Sequence, residues 1–505
     1  MPSSTISSQS GRLAYKWIVV IVVIFGSFMS ILDQTVVNNA LPRLQSVFAV
    51  DFNSLQWVIT AYTLTQGVIT PTTAFFANRM GTKRFYVISL ILFTLGSALC
   101  GFAWNLPALI VFRVIQAIGG ATLFPLAISL LFSEFPPQQR GLASGVLSIS
   151  ALMAPAIGPT LGGYLVTYAD WSLIFYINVP VGIIAIVLAL LLLREHPSAG
   201  RVSFDLPGFL LAASGLASVL YALSNASISG WSSPAVLVTL IGGLALLTLF
   251  VTVELRRTRH GKQPLVDLSL FANGPFLSSN LANAMISFSF FGGLILFPIY
   301  MQELRGLSAF VSGLYTLPLA FAAVLAAIVG GRLVDRFGPR LMLFPGLVLM
   351  GLSTWQLAGI TLTTSYTWLV LVLAVRGLGL GCLVQTLTVS ALSKVPQRQF
   401  TQASSLNMVV RFVFTSLGIA VLATFVQSRA SVHISTLASQ LKPVSPAAFA
   451  LLRLQGLNLA VQDAFWLSLV PFILAFIAVC FIRVPKPGPQ EKGESETSGQ
   501  LVVAE

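Results

Sequence analysis

From Trp17 to Arg483 the chain is a succession of long apolar runs separated by short polar stretches, many of them basic. A helix needs about 20 residues, at about 1.5 Å of rise each, to cross about 30 Å of hydrocarbon. Fourteen runs are long enough: 17–37, 54–76, 85–104, 107–131, 142–165, 173–192, 206–226, 234–254, 277–299, 309–330, 341–361, 367–391, 403–426 and 465–484. The pattern predicts an all-α integral membrane protein with 14 transmembrane helices. Residues 1–16 precede them, and the Gly-, Glu- and Ser-rich 485–505 reads as a disordered tail. Composition agrees, because 56% of the 505 residues are hydrophobic and 9% charged, where a soluble domain carries about 25% charged residues. A soluble fold so poor in charge would expose broad apolar patches and aggregate.

Charge sets the orientation. A net charge of +13, from 28 Lys and Arg against 15 Asp and Glu, could suggest nucleic acid. The basic residues instead sit in clusters between apolar runs, "NRMGTKR" at 78–84, "RRTRHGK" at 256–262 and "GRLVDRFGPR" at 331–340, which suits an anionic lipid leaflet and no nucleic acid. With a cytoplasmic N-terminus the inside segments hold 20 basic residues and the outside ones five, while Arg113, Arg376 and Arg411 lie within helices. That bias predicts a multi-pass protein of the cell (inner) membrane with both termini cytoplasmic. No Ala-x-Ala cleavage site precedes the first run, which is expected to stay as a helix. Cys100, Cys382 and Cys480 fall in apolar runs and imply no disulfide framework.

The chain also repeats itself. "AFFANRMGTKR" from Ala74 and "GRLVDRFGPR" from Gly331 stand 257 residues apart, Arg113 and Arg376 stand 263 apart, and "PPQQRGLASG" at 136–145 has a counterpart in "VPQRQFTQAS" at 395–404. Pairing spans 1–6 with 9–14 gives an N-terminal six-helix bundle at 17–192, two inserted helices at 206–254, a cytoplasmic linker at 255–276, and a C-terminal six-helix bundle at 277–484 with an extracytoplasmic loop at 427–464. Two such bundles suit a transporter whose halves rock about a midplane site. Duplication by itself is also compatible with a channel, a membrane enzyme or a receptor.

Among the fifteen acids only Asp33, in "SILDQTVVNNALP", lies well inside a run, and His196, His260 and His433 all fall in loops. An ionisable group in hydrocarbon is costly and functional by default. Asp33 lies about 24 Å along its helix from Trp17, and Arg113 about 9 Å in from Pro107 on the opposite side. The two therefore share a depth, and pairing would offset part of their desolvation. One reading is proton coupling; the other is a static pair joining two helices. Trp57, Tyr62, Gln66, Gln116, Phe288, Phe291 and Gln385 combine aromatic surface with sparse polar groups, as substrate cavities do. Arg376 and Arg411 stay open between cavity residue and backbone tether. A cationic cargo would suit a cavity whose evident carboxylate is Asp33. No phosphate-binding loop, nucleotide domain, nucleophile–base pair or metal cluster is present in the sequence, so no ATP-driven pump, enzyme, cofactor or metal is expected.

Several stretches are also familiar. "LDQTVVNNALP" at 32–42, "LIVFRVIQAIGGA" at 109–121, "APAIGPTLGG" at 154–163, "NVPVG" at 178–182 and "GRLVDRFGPR" resemble motifs of the major facilitator superfamily, and within it those of the fourteen-helix drug:proton antiporters, over essentially the whole of 17–483. The resemblance implies the major facilitator fold and a proton-coupled antiporter exporting small lipophilic or cationic molecules, with Asp33 and Arg113 in proton movement. It also implies a periplasmic adaptor if the source is a double-membrane bacterium. A transporter of a specific metabolite, sugar or siderophore would share the fold. Pro155, Gly158, Pro159, Gly162 and Gly163 correspond to the antiporter motif of the fifth helix, where prolines kink and glycines pack closely. Gly331, Asp335, Arg336 and Gly338 match the loop motif. Its first copy retains Arg79 and Gly81 but has Ala74 for Gly and Asn78 for Asp, which implies a weaker cytoplasmic latch in the N-terminal half.

Overall fold

A computed structural model describes residues 15–195, 204–260, 264–440 and 446–482. The expected tail at 485–505 and most of the N-terminal 1–16 lie outside them. Sixteen α-helices and no strand are found among the described residues. Helices are what a backbone surrounded by hydrocarbon requires, because every N–H and C=O must find its partner within the segment.

In chain order the first half contains α1 (Tyr15–Phe48), α2 (Phe52–Ile69), α3 (Thr73–Met80), α4 (Thr82–Gly101), α5 (Leu106–Glu134), α6 (Arg140–Tyr168), α7 (Leu173–Tyr176) and α8 (Asn178–Leu192). α9 (Leu206–Ser229) and α10 (Pro234–Arg259) follow. The rest comprises α11 (Gly274–Pro298), α12 (Ala309–Phe337), α13 (Arg340–Leu357), α14 (Tyr366–Leu392), α15 (Phe400–Gln440) and α16 (Pro446–Cys480). Twelve helical stretches are long and apolar enough to cross a membrane. The two further runs read from the sequence, 54–76 and 341–361, form α2 with α3 and α13. α2 carries Asn, Gln and Thr residues, and Thr60 uses its hydroxyl on Ser224 of α9 at 3.3 Å.

The buried apolar side chains form two large cores. One draws on α11 to α16 and takes in Leu152 of α6. The other draws on the helices of the first half but also takes in Phe276, Ala391, Leu392, Val395, Phe400 and Ala403 from the second. That sharing closes one end of the molecule, the end that carries Arg79 at the close of α3, Arg336 at the close of α12 and Arg398 just before α15. There Phe132 meets Phe400 edge-on at 5.9 Å, Ser129 shares a hydrogen bond with Thr401 at 2.6 Å, and the Arg140 guanidinium lies 4.7 Å from the Phe400 ring centroid. Along one flank α6 and α12 touch through their backbones, since a Cβ on Gly141 would strike the Gly331 carbonyl and one on Gly145 that of Ala327. On the other flank α9 contacts both halves: Trp57 of α2 packs on Tyr221 at 5.8 Å, and Trp231 Nε1, just beyond α9, donates to Thr424 of α15 at 2.9 Å.

One expectation is corrected. The stretch 427–464 is largely helical rather than a loop, because α15 continues to Gln440 and α16 begins at Pro446. The two extensions hold each other: Asp463 accepts from Arg429 Nε at 2.6 Å and faces His433 Nε2 at 2.8 Å.

Candidate functional site

Asp33 sits near the middle of α1, one per cent exposed. Three donors from two other helices converge on its carboxylate. Arg113 Nη1 reaches Oδ2 at 2.5 Å, while Gln116 Nε2 and Asn178 Nδ2 reach Oδ1 at 2.8 and 3.0 Å. Arg113 and Gln116 stand three residues apart on α5 and so share a face. Arg113 Nη1 also donates to Gln116 Oε1 at 2.7 Å, and its Nε to the Val58 carbonyl at 3.4 Å. The Tyr62 ring lies against the guanidinium, 3.9 Å from Cζ to centroid. Asn178, the first residue of α8, donates to Ser97 Oγ at 3.1 Å, and Ser97 donates onward to the Phe175 carbonyl at 2.8 Å. All these polar side chains are buried.

Two chemical consequences follow. An ion pair this deep is stabilised only because its remaining lone pairs and protons are hydrogen-bonded. In addition, every partner presents a donor to Asp33, so a proton added to the carboxylate removes the charge that Arg113 balances and weakens all three contacts. The three contacts tie α1, α5 and α8 to the charge state of one carboxylate.

Sequence reasoning missed Asn178 and Ser97. Asn178 was visible as the polar residue opening "NVPVG", and its depth could have been counted as those of Asp33 and Arg113 were. Of the other cavity candidates, Tyr62 and Gln116 join the cluster. Gln66 is buried nearby on α2. Trp57 does not join, being 41% exposed and packed on Tyr221. Gln385, buried on α14, lies beside Gly141, Ala327 and Gly331 at the α6–α12 crossing. Phe288 packs its backbone against Gly418 of α15. Arg376 is buried and donates to Thr354 Oγ1 at 2.6 Å, and its Cζ lies 5.5 Å from the Phe290 ring centroid. Arg411, half-buried on α15, lies over Phe291 at 5.1 Å.

The motif residues surround this arrangement. A Cβ on Gly158 would collide with the Thr35 side chain, and one on Gly162 would come within 2.8 Å of the Val36 carbonyl, so α6 packs on the turn of α1 that follows Asp33. Gly163 faces Phe310 of α12. Pro155 lies in the same helix; the side chain of Pro159 is outside the described residues. Asp335 accepts from the backbone N–H groups of Gly141 and Leu142 at 2.7 and 2.8 Å. Gly81 and Gly338 both turn the chain at positive φ, 90° and 88°, at the ends of α3 and α12. Arg79 lies over Phe75 and Arg336 over Phe337. Asn78 is half-buried at the end of α3. Two further acids, Asp205 and Glu254, are buried where α9 meets α10, with Arg257 Nε 3.0 Å from Asp205.

Residues 23–207 and 206–419 each match the model of the major facilitator superfamily. A multidrug resistance protein B homolog from Mycobacterium tuberculosis is 35% identical over 80% of this chain and 74% of its own. The riboflavin transporter RibZ of Clostridioides difficile is 31% identical over 81% of this chain and 88% of its own. The crystal structure of the human organic anion transporter MFSD10 superposes with a TM-score of 0.63 at 14% identity, covering 92% of this chain and 100% of that one, a likeness of fold.

Proposed function

The chain belongs to the major facilitator superfamily and is a multidrug-type membrane transporter, not an enzyme; from that premise we propose that it is a proton-coupled antiporter exporting drug-like lipophilic compounds across the cytoplasmic membrane. In this reading fourteen spans cross the bilayer with both termini in the cytoplasm, and two six-helix halves, 17–192 and 277–484, rock about the midplane with 206–254 between them. The basic end of the molecule is the cytoplasmic one, so the closed Phe132–Phe400 contact describes a state shut toward the cytoplasm.

The observation that carries the proposal is the buried Asp33, held by Arg113, Gln116 and Asn178. Protonating a carboxylate whose partners are all donors weakens its hold on α5 and α8, which is what coupling requires. The expected attraction of Asp33 for a cationic cargo finds little support, because both of its oxygens already face donors from this chain. The test is uptake of a lipophilic dye into inverted vesicles under an imposed pH gradient. Asp33→Asn should abolish gradient-driven uptake while leaving downhill exchange, and retained proton-driven uptake would refute the coupling role. A second reading, transport of one metabolite, is favoured by the riboflavin transporter among the relatives. Saturable uptake of riboflavin that excludes every dye in the same vesicles would select it.

A further inference from the structure

The internal repeat places Arg376 in the second half where Arg113 stands in the first, but the acid has not been repeated. Offsets of 257 to 263 residues carry Asp33 onto the α11 stretch Phe290–Leu296, which reads "FFGGLIL". Arg113 rests on a carboxylate; Arg376 rests on a phenyl ring, with one neutral hydroxyl, Thr354, for its five donors. It is only 3% exposed. Arg411 has the neighbouring ring, Phe291, and no hydrogen bond or ion pair among the described residues. Phe290 and Phe291 themselves meet at 5.2 Å, so the two guanidinium groups flank a single aromatic pair.

Depth matters as much as contact. Counting about 1.5 Å per residue, Arg376 lies about 15 Å from the start of α14 and Arg411 about 16 Å from the start of α15, close to the middle of about 30 Å of hydrocarbon. The acids of the second half lie elsewhere. Asp335 is held by the amides of α6, Asp463 by Arg429 and His433, and Glu303 is exposed beyond α11. Asp33 is engaged by Arg113. Among the described residues these two mid-membrane positive charges therefore have neither an anion nor a backbone carbonyl, the partners that stabilise such groups.

We propose that Arg376 and Arg411 form the polar end of the cargo site, and that its cargo is a lipophilic organic anion, an aromatic carboxylate whose ring packs on Phe290 and Phe291. The assignment rests on the export reading above and names its substrate class. The carboxylate oxygens accept the free guanidinium donors, and aromatic surface beside them supplies the apolar contact. Gly293 offers an internal check, since a Cβ there would meet only the Arg376 guanidinium, at 3.1 Å. An aspartate at 293 would rebuild in the second half the pair that the first half has, and would occupy the site.

The experiment uses the purified full chain in nanodiscs, in chloride-free buffer, with three probes that share one aromatic body: 1-pyrenebutyrate, its methyl ester and 1-pyrenebutylamine. Fluorescence anisotropy reads binding with no proton gradient. The carboxylate should bind at least about tenfold more tightly than the ester or the amine, the margin of one charge-assisted contact. Arg376→Gln, Arg411→Gln and Gly293→Asp should each erase that preference while leaving ester affinity within about twofold. Equal affinity for all three probes in the unaltered protein, preference for the amine, or an equal loss for carboxylate and ester in Gly293→Asp would overturn the proposal. So would chloride binding with no binding of the carboxylate, which would assign the arginines to an inorganic counter-ion. The two readings fail separately: a carboxylate that binds but is not pumped in vesicles counts against export, and a pumped amine with no carboxylate preference counts against the anion site.

Discussion

Asp335 offers the sharpest test of how the closed end is held. It is the one acid of α12, and it accepts from two amides in the first turn of α6, a helix of the other half. The first N–H groups of a helix have no partner within it, and the helix dipole adds to their attraction for an anion. Each such bond to a charged acceptor contributes about 1.5–3 kcal/mol, reduced here because Asp335 is half-exposed. Asn in its place retains one neutral acceptor, so Asp335→Asn should destabilise the closed end by about 2–3 kcal/mol. That is a shift of about 30- to 150-fold in the ratio of closed to open molecules, since about 1.4 kcal/mol is tenfold. Spin labels at Gln138 and Arg398, both exposed on opposite sides of the Phe132–Phe400 contact, report the opening as a distance distribution. The unaltered protein should give one short population and the variant a second, longer one. An unchanged distribution in Asp335→Asn would show that the apolar contacts close this end unaided, and the reasoning about the amides would fail.

Asn78→Asp should move the same labels the opposite way, sharpening the short population, because it restores to the first copy of the loop motif the charge that the second copy has. Asn178→Ala removes a donor from Asp33 and leaves Ser97 without its neighbour; thermal unfolding should report a loss of about 1–3 kcal/mol, with gradient-driven transport impaired and no change in Asn178→Asp being the unexpected result. Gly145→Leu should prevent α6 from reaching the Ala327 carbonyl. Its closed population, read with the same labels, should fall as far as that of Asp335→Asn.

Much of this molecule was legible in its sequence because hydrocarbon leaves a chain few choices. Run length marked the helices, and the lone deep acid drew attention to Asp33. Its alignment with Arg113 followed from counting residues, since helical rise is fixed. What counting could not supply was azimuth: Trp57 has the right composition for a cavity but turns outward onto Tyr221, and Asn178 turns inward although nothing in its neighbours says so. The polar residues of α2 gave no sign of their partners either: Thr60 reaches Ser224 of α9, and Gln66 is buried. The stretch 427–464 read as a loop because its polar residues interrupt the apolar run, yet polar residues are ordinary on the exposed face of a helix.

The hairpin of α9 and α10 gives the two seams between the halves different mechanics. Along α6 and α12 backbone lies on backbone through Gly141, Gly145 and Gly331, too close for any side chain to stand between them. Along the opposite seam α9 is wedged between α2 and α15 like a gasket, gripped by an indole on either side. Any rocking that widens this second seam must drag the hairpin with one half and slide it past the other. On the anion-site proposal, a cargo bound for Arg376 and Arg411 then enters through an end of the molecule and not sideways past this seam.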